Sequence, residues 1–167
     1  AFAVRDLFPG RIALVSSFGA ESAVLLHLLA SVDRSVPVIF LDTGRLFVET
    51  LQYRTKLVDL LGLTDVRSVQ PDPGRVLARD PHRALWMTNP DPCCHIRKTE
   101  PLERAIEGFD AWLTGRKRFQ NAVRSSLALF EAEGARIKVN PLANWSAADL
   151  KAYMERHGPP PHPLVAE

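Results

Sequence analysis

The sequence carries two cysteines, and they are adjacent, in Pro92-Cys93-Cys94-His95-Ile96-Arg97-Lys98. Thiols beside two cations suit thiolate or metal chemistry, because neighbouring positive charge stabilises the thiolate. The residue types allow four readings. Free cysteines pack as small hydrophobes. A vicinal disulfide fits the bond geometry poorly. Zinc needs further sulfur or imidazole donors, and His95 is a poor third corner. An iron–sulfur cluster needs more thiolates than this pair supplies. Spacing alone leaves packing and metal binding evenly matched.

Three other stretches suit anions. Ser16-Ser17-Phe18-Gly19-Ala20-Glu21-Ser22 joins an apolar run to a helical pattern. Backbone N–H groups, serine hydroxyls and a helix N-terminus all favour negative charge there. No Gly-Lys-Ser/Thr follows, so this is not a Walker A loop. Its bland alternative is an ordinary turn with a serine cap. Leu41-Asp42-Thr43-Gly44 ends a second apolar run. An adenosine could lie between the two loops, held by main-chain groups at Leu41 and by Thr43. The alternative is an Asp/Gly turn that caps the next helix. Two such loops in succession favour a nucleotide. Gly115-Arg116-Lys117-Arg118, with Arg124, offers guanidinium forks for phosphate or sulfate. A solvated basic face is the alternative.

These residues need elements to position them. Arg11–Ser17 and Val36–Leu41 read as strands buried on both faces, and Asp65–Gln70 as a third strand. Helical spacing starts at Glu21, and a long helix runs Leu46–Leu61 up to Gly62. Arg75–Pro92 is irregular, with a short helix over Val76–Ala78. A helix over Thr99–Ile106, a strand over Asp110–Thr114 and a hairpin about Gly134 follow. Ser146 is placed to cap a last helix over Ala147–Arg156. Alternating strands and helices predict an α/β fold: one domain over 1–167, a doubly wound, mostly parallel sheet with helices on both faces. Ligands in such sheets sit beyond the carboxyl ends of the strands.

Composition agrees. The 167 residues are 46% hydrophobic and 24% charged, ordinary for a globular domain. A net charge of +2 implies neither nucleic-acid nor membrane binding. No apolar run is long enough for a membrane span, and no signal peptide is evident. Two cysteines make no disulfide framework, so a cytoplasmic setting is expected. Starting at Ala1 without Met, the chain reads as part of a longer protein.

Taken together, the motifs resemble the assimilatory sulfonucleotide reductases, the adenylyl-sulfate/phosphoadenylyl-sulfate reductase family. The matching stretches are Ser16–Ser22, Leu41–Thr50, Cys93-Cys94-His95-Ile96-Arg97-Lys98-Thr99-Glu100-Pro101-Leu102, Thr114–Gln120, Lys138–Leu142 with Trp145, and His162-Pro163-Leu164. They cover nearly the whole chain in order. The resemblance implies an adenine-nucleotide alpha-hydrolase-like fold and reduction of adenosine 5′-phosphosulfate (APS) to sulfite and AMP. The 3′-phosphorylated substrate, PAPS, is the variant, giving PAP. Thioredoxin or glutaredoxin would be the reductant, and an S-sulfocysteine the intermediate. The setting would be sulfate assimilation for cysteine biosynthesis, in a homo-oligomer.

Paired cysteines mark the branch with a 4Fe–4S cluster and APS preference, which makes Cys93 and Cys94 cluster ligands by resemblance. The family's other two ligands follow the His-Pro-Leu region, and its nucleophilic cysteine lies in a C-terminal tail. Both are expected beyond Glu167, leaving no catalytic residue here except Lys98 in support. Substrate contacts implied are Ser16, Ser17, Gly19, Glu21, Ser22, Leu41, Thr43, Gly44, Lys98, Gly115, Arg116, Arg118 and Arg124. Val123 departs from the small hydroxyl residue usual there. A cluster that orders the Cys93–Lys98 turn would aim Lys98 at the substrate. The rival readings are an ATP pyrophosphatase of the same superfamily and a non-catalytic nucleotide-binding module.

Overall fold

The computed structural model describes residues 1–120 and 126–165. Its sheet has strand order β3-β2-β1-β4-β6-β5. β1 (Ile12–Ser16), β2 (Val38–Leu41), β3 (Val66–Val69), β4 (Ala111–Leu113) and β6 (Arg136–Val139) run parallel. β5 (Phe130–Glu133) joins β6 antiparallel, as the hairpin about Gly134 predicts. Successive strand side chains point to opposite faces. Ile12, Leu14, Val38 and Phe40 therefore pack on one side, with α1 (Ser22–Val32), α2 (Val48–Leu61) and α7 (Ala147–His157). Ala13, Ile39 and Trp112 pack on the other, against Leu102 and Ala105 of α6 (Glu100–Ala105). Both faces are covered, which is why β1 and β2 read as continuous apolar runs. The doubly wound α/β expectation holds.

Helix ends follow local chemistry. Gly62 closes α2 at φ 63°, a left-handed conformation that costs glycine little. Ser146 and Asp149 form a capping box at α7: Ser146 Oγ accepts from the Asp149 N–H at 3.1 Å, and Asp149 Oδ2 accepts from the Ser146 N–H at 2.8 Å. Ser146→Ala should lower unfolding free energy by about 1 kcal/mol in urea titration, with Ser146→Asp close to wild type.

One expectation needs correction. Residues 90–105 are helical nearly throughout, whereas the sequence suggested a turn over Cys93–Lys98. α5 (Pro90–Cys94) passes into a π-helical turn, His95–Thr99, and then into α6. Pro90 sits in the first turn of α5 and Pro101 in that of α6, where a missing N–H costs nothing. Pro90 begins a helix in the stretch read as irregular, while Pro101 stands in the first turn of a helix as the sequence suggests. Likewise, the short helix near Val76 extends over Pro73–Arg79 as α3, capped by Asp72, whose carboxylate accepts from the Arg75 N–H. A further short helix, α4 (Leu85–Thr88), lies in the stretch read as irregular. No helix among the described residues is long and apolar enough to cross a membrane.

Candidate functional site

β1 is flanked by β2 on one side and β4 on the other. The chain winds outward through β2 and β3, then returns across β1 to β4. That reversal opens a crevice beyond the carboxyl end of β1. A cavity of about 410 Å3 lies there, lined by Ser16, Ser17, Gly19, Glu21 and Ser22 from one loop and Gly115, Arg116, Lys117 and Gln120 from another.

Phe18 shapes the first loop. Its side chain is fully buried, edge-on to Phe40 with ring centroids 5.4 Å apart. Its backbone is left-handed, φ 52°, unusual for a bulky residue. The Phe18 N–H donates to Ser16 Oγ at 3.1 Å. An aromatic anchor thus points down into the core while Ser17, Gly19 and the start of α1 line the cavity above.

The second loop brings cations held by carboxylates. Lys117 is only 2% exposed, and its Nζ lies 2.6 Å from Glu21 Oε2. Gln120 Nε2 donates to the same oxygen at 3.0 Å. Arg116 Nη1 reaches Glu131 Oε2 at 3.2 Å. That oxygen also accepts from Asn140 Nδ2 at 2.7 Å, and Asn140 Oδ1 accepts from Thr114 Oγ1 at 2.7 Å. Asn140 is fully buried, so the network fixes Arg116 from beneath. Arg118 goes elsewhere. Its Nε donates to the Leu127 carbonyl at 2.7 Å, and it lines a separate hollow with Trp145 and Ser146. Lys117 is the cation that sequence reasoning left out of the contact set. Within the Arg-Lys-Arg run nothing but burial singles it out. Arg124 and Val123 lie outside the described residues.

The loop after β2 contributes to a different cavity, of about 430 Å3, whose lining includes Thr43, Gly44, Arg45, Gln70, Arg83 and Arg97. Asp42 builds this loop. Its two carboxylate oxygens accept from the Gly44 N–H and from Gln70 Nε2, each at 2.9 Å, with Gly44 at φ 69°. Leu41 is half-buried and lines neither cavity. The site residues therefore divide: the β1 and β4 loops share one cavity, and Thr43 and Gly44 line a second.

Arg97 ties the cysteine-bearing helix to this loop. It is 7% exposed; Nη1 donates to the Thr43 carbonyl at 3.1 Å and Nη2 to Asp80 Oδ2 at 2.9 Å. Burial pushes the Asp80 carboxyl up, but the Leu85 N–H, Arg97 and Arg45 outweigh burial and hold it below the usual carboxylate range. Lys98, the next residue, is exposed and lines neither cavity. Cys93 is buried and Cys94 exposed, both as free thiols, and His95 Nε2 lies 3.3 Å from Glu100 Oε1. Among the described residues no group of three or more metal-ligating side chains comes together.

Comparison with known proteins places the chain in a family. Residues 11–167 match the family model for the phosphoadenosine phosphosulfate reductase domain. The chain is 52% identical over 162 residues to the adenosine 5′-phosphosulfate reductase of Mesorhizobium japonicum, covering 97% of this chain and 64% of that one. It is 38% identical to the phosphoadenosine 5′-phosphosulfate reductase of Xanthomonas axonopodis pv. citri, covering 93% and 66%. The chain thus spans a little under two thirds of these relatives' length. A crystal structure of phosphoadenylyl-sulfate reductase from Candida auris, a phosphate complex, superposes with TM-score 0.76 at 28% identity, over 92% of this chain and 76% of that one. The U34-tRNA thiolase NcsA of Methanococcus maripaludis, determined with its 4Fe–4S cluster, shares the fold at TM-score 0.61 and 16% identity, over 93% and 59%. The chain belongs to the phosphoadenosine phosphosulfate reductase domain family.

Proposed function

We propose that this chain is the nucleotide-binding part of a reductase that converts APS, or its 3′-phosphorylated relative, to sulfite and AMP or PAP. One observation carries the reading. The serine-rich loop and the basic loop, far apart in sequence, line one cavity at the reversal point of the sheet. Its donors are hydroxyls, backbone N–H groups at a helix start, and the cations Arg116 and Lys117, a set suited to a phosphate with attached sulfate.

The chemistry we propose is the one the family resemblance implies. A thiolate attacks the sulfur of bound APS. The bond from sulfur to the bridging oxygen breaks, and AMP leaves with the electron pair. The enzyme keeps an S-sulfocysteine. A dithiol reductant, thioredoxin or glutaredoxin, then releases sulfite and becomes a disulfide. Cations around the AMP phosphate stabilise the leaving group. Neither Cys93 nor Cys94 is assigned the attacking role, which falls to a cysteine of the full-length polypeptide. Lys98 and Arg124 are proposed to approach the sulfate in the full-length enzyme, and Arg118, Leu41, Thr43 and Gly44 to frame the nucleotide. The domain is read as a single unit over 1–167 within a longer, cytoplasmic, homo-oligomeric enzyme of sulfate assimilation.

Cys93 and Cys94 fit an iron–sulfur cluster in donor type: both thiols are free, and Arg97 and Lys98 follow within one helical turn. They supply part of the ligand set, and the rest would come from outside the described residues. When bound, the cluster would order the helix that carries Lys98.

The test is sulfite release from APS and PAPS by the full-length protein with thioredoxin. Arg116→Ala should weaken AMP binding roughly tenfold by loss of a charge-assisted contact. Unchanged AMP affinity in that variant, or ATP cleavage to pyrophosphate without sulfite release, would sink the reading.

A further inference from the structure

The chain leaves α7 through Gly158, at φ 65°, and then Pro159, Pro160 and Pro161, before it reaches His162. Proline fixes φ and offers no N–H, so this stretch is stiff and has to be held by its carbonyls and side chains. α2 does the holding. Tyr53 is buried, and its hydroxyl donates to the Pro160 carbonyl at 2.7 Å. Burial pushes the Tyr53 phenol up to about 12, which keeps it a donor. The His162 ring is buried edge-on to Tyr53, with ring centroids 4.8 Å apart. Its two nitrogens have separate partners. The Leu164 N–H donates to Nδ1 at 3.1 Å, and Nε2 lies 3.2 Å from Thr50 Oγ1. A backbone N–H only donates, so Nδ1 accepts and the proton sits on Nε2, facing the Thr50 hydroxyl.

The latch has a telling place in the fold. Thr50 and Tyr53 stand in the first two turns of α2, just after the loop that ends β2. β1 and β2 are parallel, so that loop and the cavity beyond β1 share one edge of the sheet. The C-terminal segment is therefore pinned, and turned at Leu164, on the edge where the cavity opens. We infer that His162 is a positioning residue for the reaction. By taking the Leu164 N–H on Nδ1 while holding Thr50 through Nε2, it fixes the direction in which the chain leaves α2, and so where the attacking thiolate of the full-length polypeptide arrives. The inference rests on the reductase reading, in which that cysteine lies C-terminal to the residues described. Attack on sulfur needs the thiolate in line with the departing AMP, so a misdirected segment costs rate and leaves affinity alone. Thr50, Tyr53 and His162 line neither cavity, which separates the latch from nucleotide binding.

The experiment uses full-length protein and measures single-turnover release of AMP from APS without thioredoxin, which isolates the attack, beside the dissociation constant of AMP. His162→Leu removes both hydrogen bonds and should slow AMP release roughly tenfold, with AMP affinity within about twofold of wild type. Hydrogen exchange at the Leu164 amide should quicken in the same variant. His162→Asn offers an oxygen to the N–H two residues on, the turn that asparagine forms by itself, and should recover the rate to within about threefold of wild type. Tyr53→Phe keeps the packed ring and loses only the bond to Pro160, so it serves should His162→Leu fail to fold; it should slow AMP release about threefold at unchanged AMP affinity. An unchanged rate in His162→Leu or in Tyr53→Phe overturns the inference. So does a His162→Asn enzyme as slow as His162→Leu, or AMP affinity that falls in step with the rate, which is the mark of a merely structural stitch. Wild-type protein that binds AMP but releases none from APS overturns the reductase reading and this inference with it.

Discussion

Phe18→Ala is expected to destabilise the protein by about 3–4 kcal/mol, the cost of emptying a fully buried aromatic site. The more telling comparison is with Phe18→Gly. At most positions glycine is the worse replacement by roughly 0.5–1 kcal/mol, because it gains most freedom on unfolding. At φ 52° alanine keeps a left-handed penalty of about 1 kcal/mol that glycine escapes. Phe18→Gly should therefore be at least as stable as Phe18→Ala in urea titration. Both variants should also bind AMP more weakly, since the anchor that turns Ser17 and Gly19 toward the cavity is gone. Alanine stabler than glycine by a full kcal/mol would mean that the loop does not hold this conformation.

Arg97→Ala should have the second large effect, lowering the melting temperature by roughly 10 °C. It takes the nearest cation from the buried Asp80 carboxylate, which keeps the Leu85 N–H and the more distant Arg45, and it leaves the Thr43 carbonyl without its side-chain donor. The double variant Arg97→Met/Asp80→Leu removes both charges and should recover part of the loss, since replacing a buried pair is gentler than breaking one. Acid should narrow the gap between wild type and Arg97→Ala. The Asp80 carboxyl is held below its unfolded-state value. Its contribution is therefore complete above the ordinary aspartate range, near pH 4, and fades as pH falls through the lower folded value. A melting-temperature difference that persists undiminished to the lowest pH at which both proteins fold would contradict the pairing.

The parallel core was legible because its strands are buried on both faces. Ile12–Ser16 and Val38–Leu41 leave little room for another reading. Gly62 and Ser146 marked their helix ends through chemistry that needs no tertiary partner. The helix through Cys93 and Cys94 was misread because proline has two opposite meanings. It breaks a helix in the middle and begins one at the first turn, and only the following contacts decide. The basic loop failed differently. Arg116, Lys117 and Arg118 are equivalent as sequence, yet one is braced by Glu131, one is buried on Glu21, and one turns to the Leu127 carbonyl. Those partners are set by strand order, which local pattern does not encode. The Cys-Cys stretch and the serine loop were prominent in sequence; that Thr43 and Gly44 line a second cavity was not.

The seam between β1 and β4 bears on how the protein is made. Its strands pair Leu14 with Leu113, and the ion pair beside it joins residues 96 apart. Such contacts carry a large loop-closure entropy and form late, after local helices and neighbouring strands. The cavity's two walls are on opposite sides of that seam, so a half-folded chain has no complete pocket. The nucleotide proposed for this cavity would then bind finished molecules alone. It would slow their unfolding without speeding their assembly, and its supply would set how long each copy survives proteolysis.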